Sequence, residues 1–200
     1  MTDTADILAR PELTLPPAEA ALLREAYAGA ATILEYGSGG STVMAGDMPG
    51  KTVWSVESDA GWAAMMRRWF DENPARATVH IHHADVGPTK DWGMPDGNRG
   101  WRKFARYPLE IWSLNGFSHP DVVLVDGRFR VGCVLATLFC ATQPVTLYFD
   151  DYAGRERYSR IEEFVRPAET RGRMARFDIT PRAIEPASLL RVFDLLQRPF

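Results

Sequence analysis

The sequence predicts an α/β fold built on a doubly wound, mostly parallel β-sheet. The first observation is the order strand, glycine-rich turn, helix, strand, acid over residues 32–57. The second is Asp121–Asp126, a continuous apolar run ending in an acid, as in a central strand buried on both faces. The third is that strand-like and helix-like segments alternate along most of the chain, which places helices on both faces of one sheet.

The predicted strands are short apolar segments that end at polar residues. Thr78–His83 alternates apolar and polar side chains, as a strand at the edge of a sheet does. Leu189–Leu196 fits a last strand, although its periodicity also fits a short helix. The sequence therefore predicts seven strands: Thr32–Tyr36, Thr52–Glu57, Thr78–His83, Asp121–Asp126, Val145–Phe149, Met174–Ile179 and Leu189–Leu196.

Prolines and a capping residue set the bounds of the predicted helices. Pro16 and Pro17 stand where a helix begins. Asp59 is a suitable N-cap, and Asn73-Pro74 ends the helix that follows it. A short helix should follow the glycine turn. The other predicted helices are residues 16–30, Asp59–Glu72, Val131–Ala141 and Glu156–Val165.

Residues 86–120 form the irregular, aromatic-rich part of the sequence. Glycines and prolines such as Pro88, Gly93, Pro95, Gly97, Gly100 and Pro108 interrupt this segment, so we expect an insertion without long helices or strands. Its aromatic side chains need a surface to bury against, which argues against disorder. We expect the insertion to fold over the strand ends and form the pocket for a second ligand.

Composition places the chain among ordinary globular proteins, with 46% hydrophobic and 24% charged residues. Its 200 residues suit a single domain. The net charge of −3 gives no argument for nucleic-acid binding, and no apolar run approaches the ~20 residues that span a bilayer. Residues 1–15 resemble a loose arm with acids where a signal peptide has lysines. Cys133 and Cys140 would lie about two turns apart on one helix, so we expect reduced cysteines and a cytoplasmic protein.

The glycine turn of residues 37–40 carries the strongest functional signal. A turn this tight favours positive φ, and a side chain would keep a ligand from its backbone. Glu57 follows Gly37 by 20 residues, where an acid accepts hydrogen bonds from ribose hydroxyls. Glu35 precedes the turn and suits a cationic ligand such as the amino group of S-adenosylmethionine. Thr42 stands where a dinucleotide-binding turn has Gly or Ala, so both residues argue against a nicotinamide cofactor.

The segments LEYGSGGST and VWSVESD resemble motif I and the second-strand acid of class I S-adenosylmethionine-dependent methyltransferases. The resemblance implies a Rossmann-like methyltransferase fold, a seven-stranded sheet whose last strand is antiparallel, and S-adenosyl-L-methionine as cofactor. Asp85 holds the position that meets the adenine, although a turn residue is an equal alternative. The cofactor-binding residues that it implies are Glu35, Gly37, Ser38, Gly39, Gly40, Ser41, Glu57, Ser58, Asp85 and Asp126.

The run from Asp121 to Tyr152 carries a second resemblance. It is similar to the IDG…FDDY pattern of a branch of O-methyltransferases in which carboxylates after two neighbouring strands hold a divalent cation. The resemblance implies that Asp126, Asp150 and Asp151 bind Mg²⁺ or Ca²⁺, which would lower the pKa of an acceptor hydroxyl. The alternative is that these acids cap helices or pair with arginines such as Arg128 and Arg155.

Catalysis would involve Asp126, Asp150 and Tyr152 in this interpretation. The branch has a histidine where this chain has Phe129, so its general base is missing. We therefore interpret the chain as an S-adenosylmethionine-dependent methyltransferase with a small-molecule acceptor, O-methyl transfer being favoured, and with neither nucleic acid nor membrane as partner. Two alternatives stay open: a non-catalytic cofactor- or partner-binding module, and a nicotinamide-dependent oxidoreductase. The sequence sets no oligomeric state.

Overall fold

The structure, a computed structural model, describes residues 9–200. The first eight residues of the predicted N-terminal arm lie outside the described residues. Residues 9–15 have no regular secondary structure, but Leu15 is buried and Leu13 packs beside it against the core. The described part of the arm is therefore packed against the domain rather than loose.

A seven-stranded sheet organises the molecule, in the order β3-β2-β1-β6-β7-β9-β8. Neighbouring strands from β3 to β7 are parallel, whereas β9 runs antiparallel to both of its neighbours. A separate two-stranded antiparallel hairpin, β4-β5, lies in the insertion. The strands are β1 (Thr32–Tyr36), β2 (Thr52–Glu57), β3 (Thr78–His83), β4 (Thr89–Lys90), β5 (Met94–Pro95), β6 (Val122–Val125), β7 (Val145–Phe149), β8 (Glu169–Arg171) and β9 (Met174–Ile179).

Helices cover both faces of this sheet. The side chain of Asp59 accepts a hydrogen bond from the backbone of Trp62 at 2.7 Å, which confirms the predicted N-cap. Short 3₁₀ helices occupy Asp91–Gly93, Glu110–Ser113, Glu156–Glu163 and Pro186–Ser188. The α-helices are α1 (Pro17–Gly29), α2 (Gly40–Gly46), α3 (Ala60–Glu72), α4 (Trp101–Phe104), α5 (Arg106–Leu109), α6 (Arg130–Cys140) and α7 (Leu189–Leu196).

The predicted α/β fold is confirmed, with three local differences. Leu189–Leu196 is a helix, the alternative that its periodicity allowed, and not the last strand. The missing edge strand is Glu169–Arg171, which is only three residues long and exposed, and therefore carries no apolar pattern. Glu156–Glu163 is helical but adopts the tighter 3₁₀ form. The described residues include no helix with the length and apolar character that a membrane crossing needs.

The insertion of residues 86–120 holds more local structure than its sequence suggested. It contains the β4-β5 hairpin, α4, α5 and two 3₁₀ turns. Phe104 and Tyr107 are buried against the core, whereas Trp92 is 86% exposed and Trp101 is 49% exposed. Only part of the aromatic set therefore packs over the strand ends.

Helix α1 is bonded to the far end of the chain. The buried carboxylate of Glu19 accepts a hydrogen bond from the backbone N–H of Arg173 at 2.9 Å. Arg173 stands between β8 and β9, and its side chain in turn binds Asp150 after β7. One residue therefore connects the first helix to a predicted site residue.

Candidate functional site

The predicted site residues gather along one rim of the sheet. Parallel strands place their carboxyl ends together, and β2, β1, β6 and β7 are consecutive neighbours. The glycine turn follows β1, Glu57 ends β2, Asp126 follows β6, and Asp150 with Asp151 follows β7. The topology thus gives these residues a common location.

The glycine turn is tightly packed at one end and open at the other. Gly37 has φ = 108°, and its N–H donates to the carbonyl of Val56 at 2.8 Å. A Cβ on Gly37 would lie 2.8 Å from the backbone nitrogen of Gly127, so no larger residue fits. A Cβ on Gly39 would meet no atom within 4 Å. Ligand could therefore approach the backbone at Gly39, which fits the requirement of a nucleotide-type cofactor.

Glu35 lies behind the turn and does not face solvent. Its carboxylate accepts hydrogen bonds from the hydroxyls of Tyr27 at 2.6 Å and Thr42 at 2.5 Å, and the residue has no exposed surface. Thr42 also accepts from the backbone N–H of Gly39 at 3.0 Å. Glu35 therefore fixes the turn through Thr42. A direct contact between Glu35 and a ligand amino group, as its sequence position suggested, does not fit this arrangement.

Burial also changes the acidity of Glu35. Loss of water raises the pKa of its carboxyl from 4.5 to about 7, and the hydrogen bonds from Thr42 and Tyr27 only partly oppose this. Desolvation likewise raises the pKa of the Tyr27 phenol. A charged Glu35 was the sequence-based reason to prefer a cationic ligand. Because burial favours the uncharged form of this carboxyl, that reason is weakened.

Glu57 connects the end of β2 to the glycine turn. One carboxylate oxygen accepts from the backbone N–H groups of Ser58 at 2.7 Å and Asp59 at 2.9 Å, and the other faces the N–H of Ser38 at 3.3 Å. The residue is 8% exposed, and burial raises its pKa although the three amides oppose the shift. The second-strand acid and the turn thus lie within hydrogen-bond distance.

The small polar residues around the turn hold one another in place. The hydroxyls of Ser38 and Ser55 are 2.7 Å apart, and the carbonyl of Ser38 accepts from the Trp62 indole at 2.7 Å. Ser41 and Ser58 are both buried. Residues 12 and 13 cover Gly40, since a Cβ there would lie 2.2 Å from the backbone of Glu12. Of Gly37, Gly39 and Gly40, Gly39 is thus the one with open space beside its backbone.

Asp85 follows β3 and is half-exposed. It accepts from the backbone N–H of Gly87 at 2.8 Å, as a turn residue does, and from the Lys103 ammonium at 2.7 Å. The hydrogen bond from Lys103 is the main reason that the pKa of Asp85 is lowered. Both sequence interpretations of Asp85 therefore stay compatible with the structure.

Arginines face the acids that follow β6 and β7. Arg173 binds Asp150 through two bonds, of 3.0 Å and 2.8 Å, and Asp150 is only 1% exposed. Arg155 pairs with Asp151 at 2.7 Å. We call the set of Asp126, Asp150, Asp151, Arg130, Arg155 and Arg173 the acid–arginine cluster.

Arg130 braces the two strand ends. Its guanidinium donates to the backbone carbonyls of Asp126 at 2.7 Å and Asp150 at 2.5 Å, and also to the side chain of Asp126 at 3.1 Å. Desolvation raises the pKa of Asp126 to about 7; Arg130 opposes this, while the neighbouring Asp150 adds to it. Asp126 and Asp150 thus share one crevice, as their strands predicted.

The cluster does not fit a divalent cation. Guanidinium groups already supply the positive charge that a metal would bring to Asp150 and Asp151. Across residues 9–200, no three side chains of His, Cys, Asp or Glu are grouped as metal ligands. Of the partners that the sequence suggested, Arg155 is found on Asp151, whereas Arg128 donates to the carbonyl of Trp92. The acids that were predicted to bind a metal ion form ion pairs with arginines instead.

Tyr152 and Phe129 are both packed into aromatic clusters. The phenol of Tyr152 donates to Glu162 at 2.6 Å, and desolvation together with that carboxylate raises its pKa, so the phenol stays protonated at neutral pH. Phe129 is fully buried against Phe104 and Tyr107, and it begins α6 with φ = 53°. Neither side chain is placed to act as a general base.

Sequence reasoning missed the residues that support the site. Tyr27 and Thr42 hold Glu35, and Arg130 and Arg173 hold the strand-end acids. An apolar strand ending in an acid signals that the acid needs a partner, but it does not say which distant side chain supplies one. Arg173 lies 23 residues beyond Asp150, in the turn of the β8-β9 hairpin, which the sequence did not reveal.

Comparison with known proteins gives a relative with more than half of its residues identical. No protein-family model matches the sequence, and no curated protein does. A crystal structure of a methyltransferase-like protein from Silicibacter pomeroyi is 54% identical, with a TM-score of 0.92; the match covers 95% of this chain and 99% of the other.

Two more distant structures share the fold. Cofactor-bound Rv0187 from MTB has a TM-score of 0.56 at 15% identity, covering 86% of this chain and 84% of its own. The O-methyltransferase TomG from Streptomyces achromogenes, in complex with SAM, has a TM-score of 0.52 at 14% identity, covering 81% and 80%. The sheet order is that of a Rossmann-like methyltransferase fold, and the 54% identical relative shows that the chain belongs to the same family as that methyltransferase-like protein.

Proposed function

We propose that this protein binds S-adenosyl-L-methionine at the glycine turn and transfers its methyl group to the hydroxyl of a small molecule. The observation that carries the proposal is the junction of Glu57 with the turn. Its carboxylate reaches the Ser38 amide at 3.3 Å, beside open space at Gly39. A ribose on Glu57 would thus lie next to backbone that a ligand can approach.

In this proposal, different residues of the rim bind different parts of the cofactor. Glu57 would accept hydrogen bonds from the ribose, Ser38 and Gly39 would line the cofactor chain, and Asp85 would stand beside the adenine. When bound, the cofactor supplies a methyl group on a sulfonium. The protein then needs to orient the acceptor and exclude water, which does not call for a histidine.

Asp126 is the proposed general base. Its pKa of about 7 means that it can take a proton from an acceptor hydroxyl at neutral pH, in a crevice beside the turn. The Asp126 carboxylate would take the proton of the acceptor hydroxyl, while a bound cofactor would supply the methyl group from its sulfonium, the S–C electron pair staying on sulfur. Asp150, bound by Arg173, would position the cluster rather than exchange protons. No step is assigned to a metal ion.

Related proteins support the choice of cofactor and acceptor. TomG is described as an O-methyltransferase in complex with SAM, and Rv0187 as cofactor-bound. An O-methyltransferase from Bacillus cereus in complex with SAH has a TM-score of 0.50 at 13% identity. These neighbours favour a small-molecule acceptor, which is the preferred class here.

A second candidate is a cofactor-binding module without catalysis. Phe129 favours it, because the position where related enzymes carry a base is filled by a buried ring. A methyl-transfer assay with a panel of hydroxyl compounds, compared between wild type and Asp126→Asn, separates the two candidates. Activity that follows the ionisation of Asp126 would favour the enzyme.

Titration calorimetry with S-adenosylmethionine, S-adenosylhomocysteine and NAD tests the cofactor. We expect the first two to bind and NAD to fail. Glu57→Ala should weaken binding about 10- to 100-fold, because a hydrogen bond to a charged acceptor contributes about 1.5–3 kcal/mol. Glu72→Ala, an exposed acid on α3, is the matched control. Equal affinities for wild type and Glu57→Ala would refute the placement.

A further inference from the structure

Residues 89–95, which we call the strap, lie against the cofactor rim. Strands β4 and β5 form its two arms, with Thr89 paired to Pro95 and Lys90 paired to Met94. The 3₁₀ turn Asp91–Gly93 forms its tip. The strap belongs to the insertion and adds no strand to the main sheet.

One end of the strap tip is bonded to the end of β2. The carbonyl of Gly93 accepts a hydrogen bond from the Ser58 hydroxyl at 2.8 Å. Gly93 has φ = 68°, and a Cβ there would lie 2.3 Å from the Ser58 hydroxyl oxygen and 3.0 Å from a Glu57 carboxylate oxygen. Backbone of the strap thus lies directly against the proposed ribose acid and helps to leave Glu57 only 8% exposed.

A second tether reaches the end of β6. The Nε of Arg128 donates to the carbonyl of Trp92 at 2.8 Å. Among residues 9–200, the bond to Trp92 is the hydrogen bond that the Arg128 side chain makes. No acid of these residues forms an ion pair with Arg128. A third bond joins the Thr89 hydroxyl to the Asp59 carboxylate at 3.1 Å.

These tethers place the strap across the glycine turn. Strand β1, which leads into the turn, lies between β2 and β6 in the sheet. The side chain of Arg128, which follows β6, therefore reaches past β1 to a strap tip that is bonded at the end of β2. Gly93 thus covers one oxygen of the Glu57 carboxylate and narrows the approach of a nucleoside to it.

Polar bonds hold the exposed part of the strap tip. The Trp92 side chain is 86% exposed, and its backbone has φ = 62°, a conformation that bulky residues rarely adopt. The tip buries the backbone of Gly93 but no apolar side chain, so polar bonds contribute most to its position. Segments of this kind open at low free-energy cost relative to a core strand.

We propose that the strap is a gate over the cofactor crevice, that Arg128 is its latch, and that cofactor enters when the bond between Arg128 and Trp92 breaks. The gate rests on the proposed function, since it needs a ligand that binds Glu57. Arg128 is a positioning residue in this proposal, acting through the strap backbone.

Hydrogen exchange tests the latch without any ligand. Arg128→Leu should speed exchange about tenfold at residues 90–94, while Val122–Val125 in β6 stays protected and reports an intact fold. Thr89→Val should produce a smaller increase. Arg102→Leu removes an exposed arginine of the same insertion and is the matched control. Unchanged exchange in the strap of Arg128→Leu would overturn the latch.

Rapid-mixing kinetics with S-adenosylhomocysteine test the gate. We expect the wild-type binding rate to reach a plateau as ligand increases, because opening becomes limiting, and the plateau to rise severalfold in Arg128→Leu. Binding to Arg128→Leu but not to wild type would also support the gate. Rates that grow linearly with ligand, and equally in both proteins, would overturn it while leaving the proposed function intact. No binding to any variant would refute the proposed function, and the gate with it.

Discussion

Glu35 should make the stability of this protein depend on pH in an unusual direction. The carboxyl is fully buried, and its pKa rises from 4.5 to about 7 on folding. Between these two values the unfolded chain is ionised at this position while the folded protein retains the proton. The unfolded state therefore binds fewer protons, and stability falls as pH rises through this window.

The size of the effect follows from the shift. Each pKa unit corresponds to about 1.4 kcal/mol, so the contribution of Glu35 that is present below pH 4.5 and lost above pH 7 amounts to about 3 kcal/mol. Glu35→Gln replaces the carboxyl by a neutral group of similar shape. The difference in unfolding free energy between the variant and wild type should therefore change by about this amount between pH 4.5 and 7.5, in favour of the variant at high pH.

Urea unfolding at a series of pH values measures this difference directly. Glu25→Gln, an exposed acid on α1, serves as the control and should give a difference that is flat with pH. Parallel profiles for wild type and Glu35→Gln would mean that Glu35 ionises freely in the folded protein, and the argument from its burial would be wrong.

Three further predictions concern the supports of the site. Thr42→Val should destabilise the fold by about 2 kcal/mol in urea unfolding, because it removes a hydroxyl bonded to both Glu35 and the Gly39 amide; an unchanged midpoint would contradict this. Arg173→Leu should cost about 2 kcal/mol by the same measurement, less than for a fully enclosed pair because solvent reaches Arg173, and a neutral result would mean that Asp150 finds another partner. Saturating Mg²⁺ or Ca²⁺ should leave the Tm unchanged, since arginines neutralise the acid–arginine cluster; a metal-dependent rise would restore the metal interpretation.

The central sheet could be predicted because its residues follow local rules. Val145–Phe149 is a buried apolar run closed by acids, and Asp59 caps α3, so propensity and pattern agree with the fold there. The edge was not predictable in the same way. Glu169–Arg171 is a polar strand that forms only because β9 pairs with it.

The same distinction between local rules and distant partners applies to the candidate site. The glycine turn and Glu57 could be located because chain spacing and backbone conformation determine them. The state of the acids could not, because it depends on partners far away in the sequence. Glu35 was expected to meet a cationic ligand and is buried against Thr42; Asp150 was expected to bind a divalent cation or to pair with an arginine, and it pairs with Arg173. The partners of these acids lie far away in the sequence, and such pairs leave no short motif in the sequence.

The bond between helix α1 and Arg173 has a consequence for the order in which the chain is assembled. Glu19 leaves the ribosome early, yet its partner is made more than 150 residues later. Arg173 is also the residue that binds Asp150. During synthesis the glycine turn and all the rim acids are present before any residue that joins Asp150 to α1, so the acid–arginine cluster closes only after the final hairpin has been made.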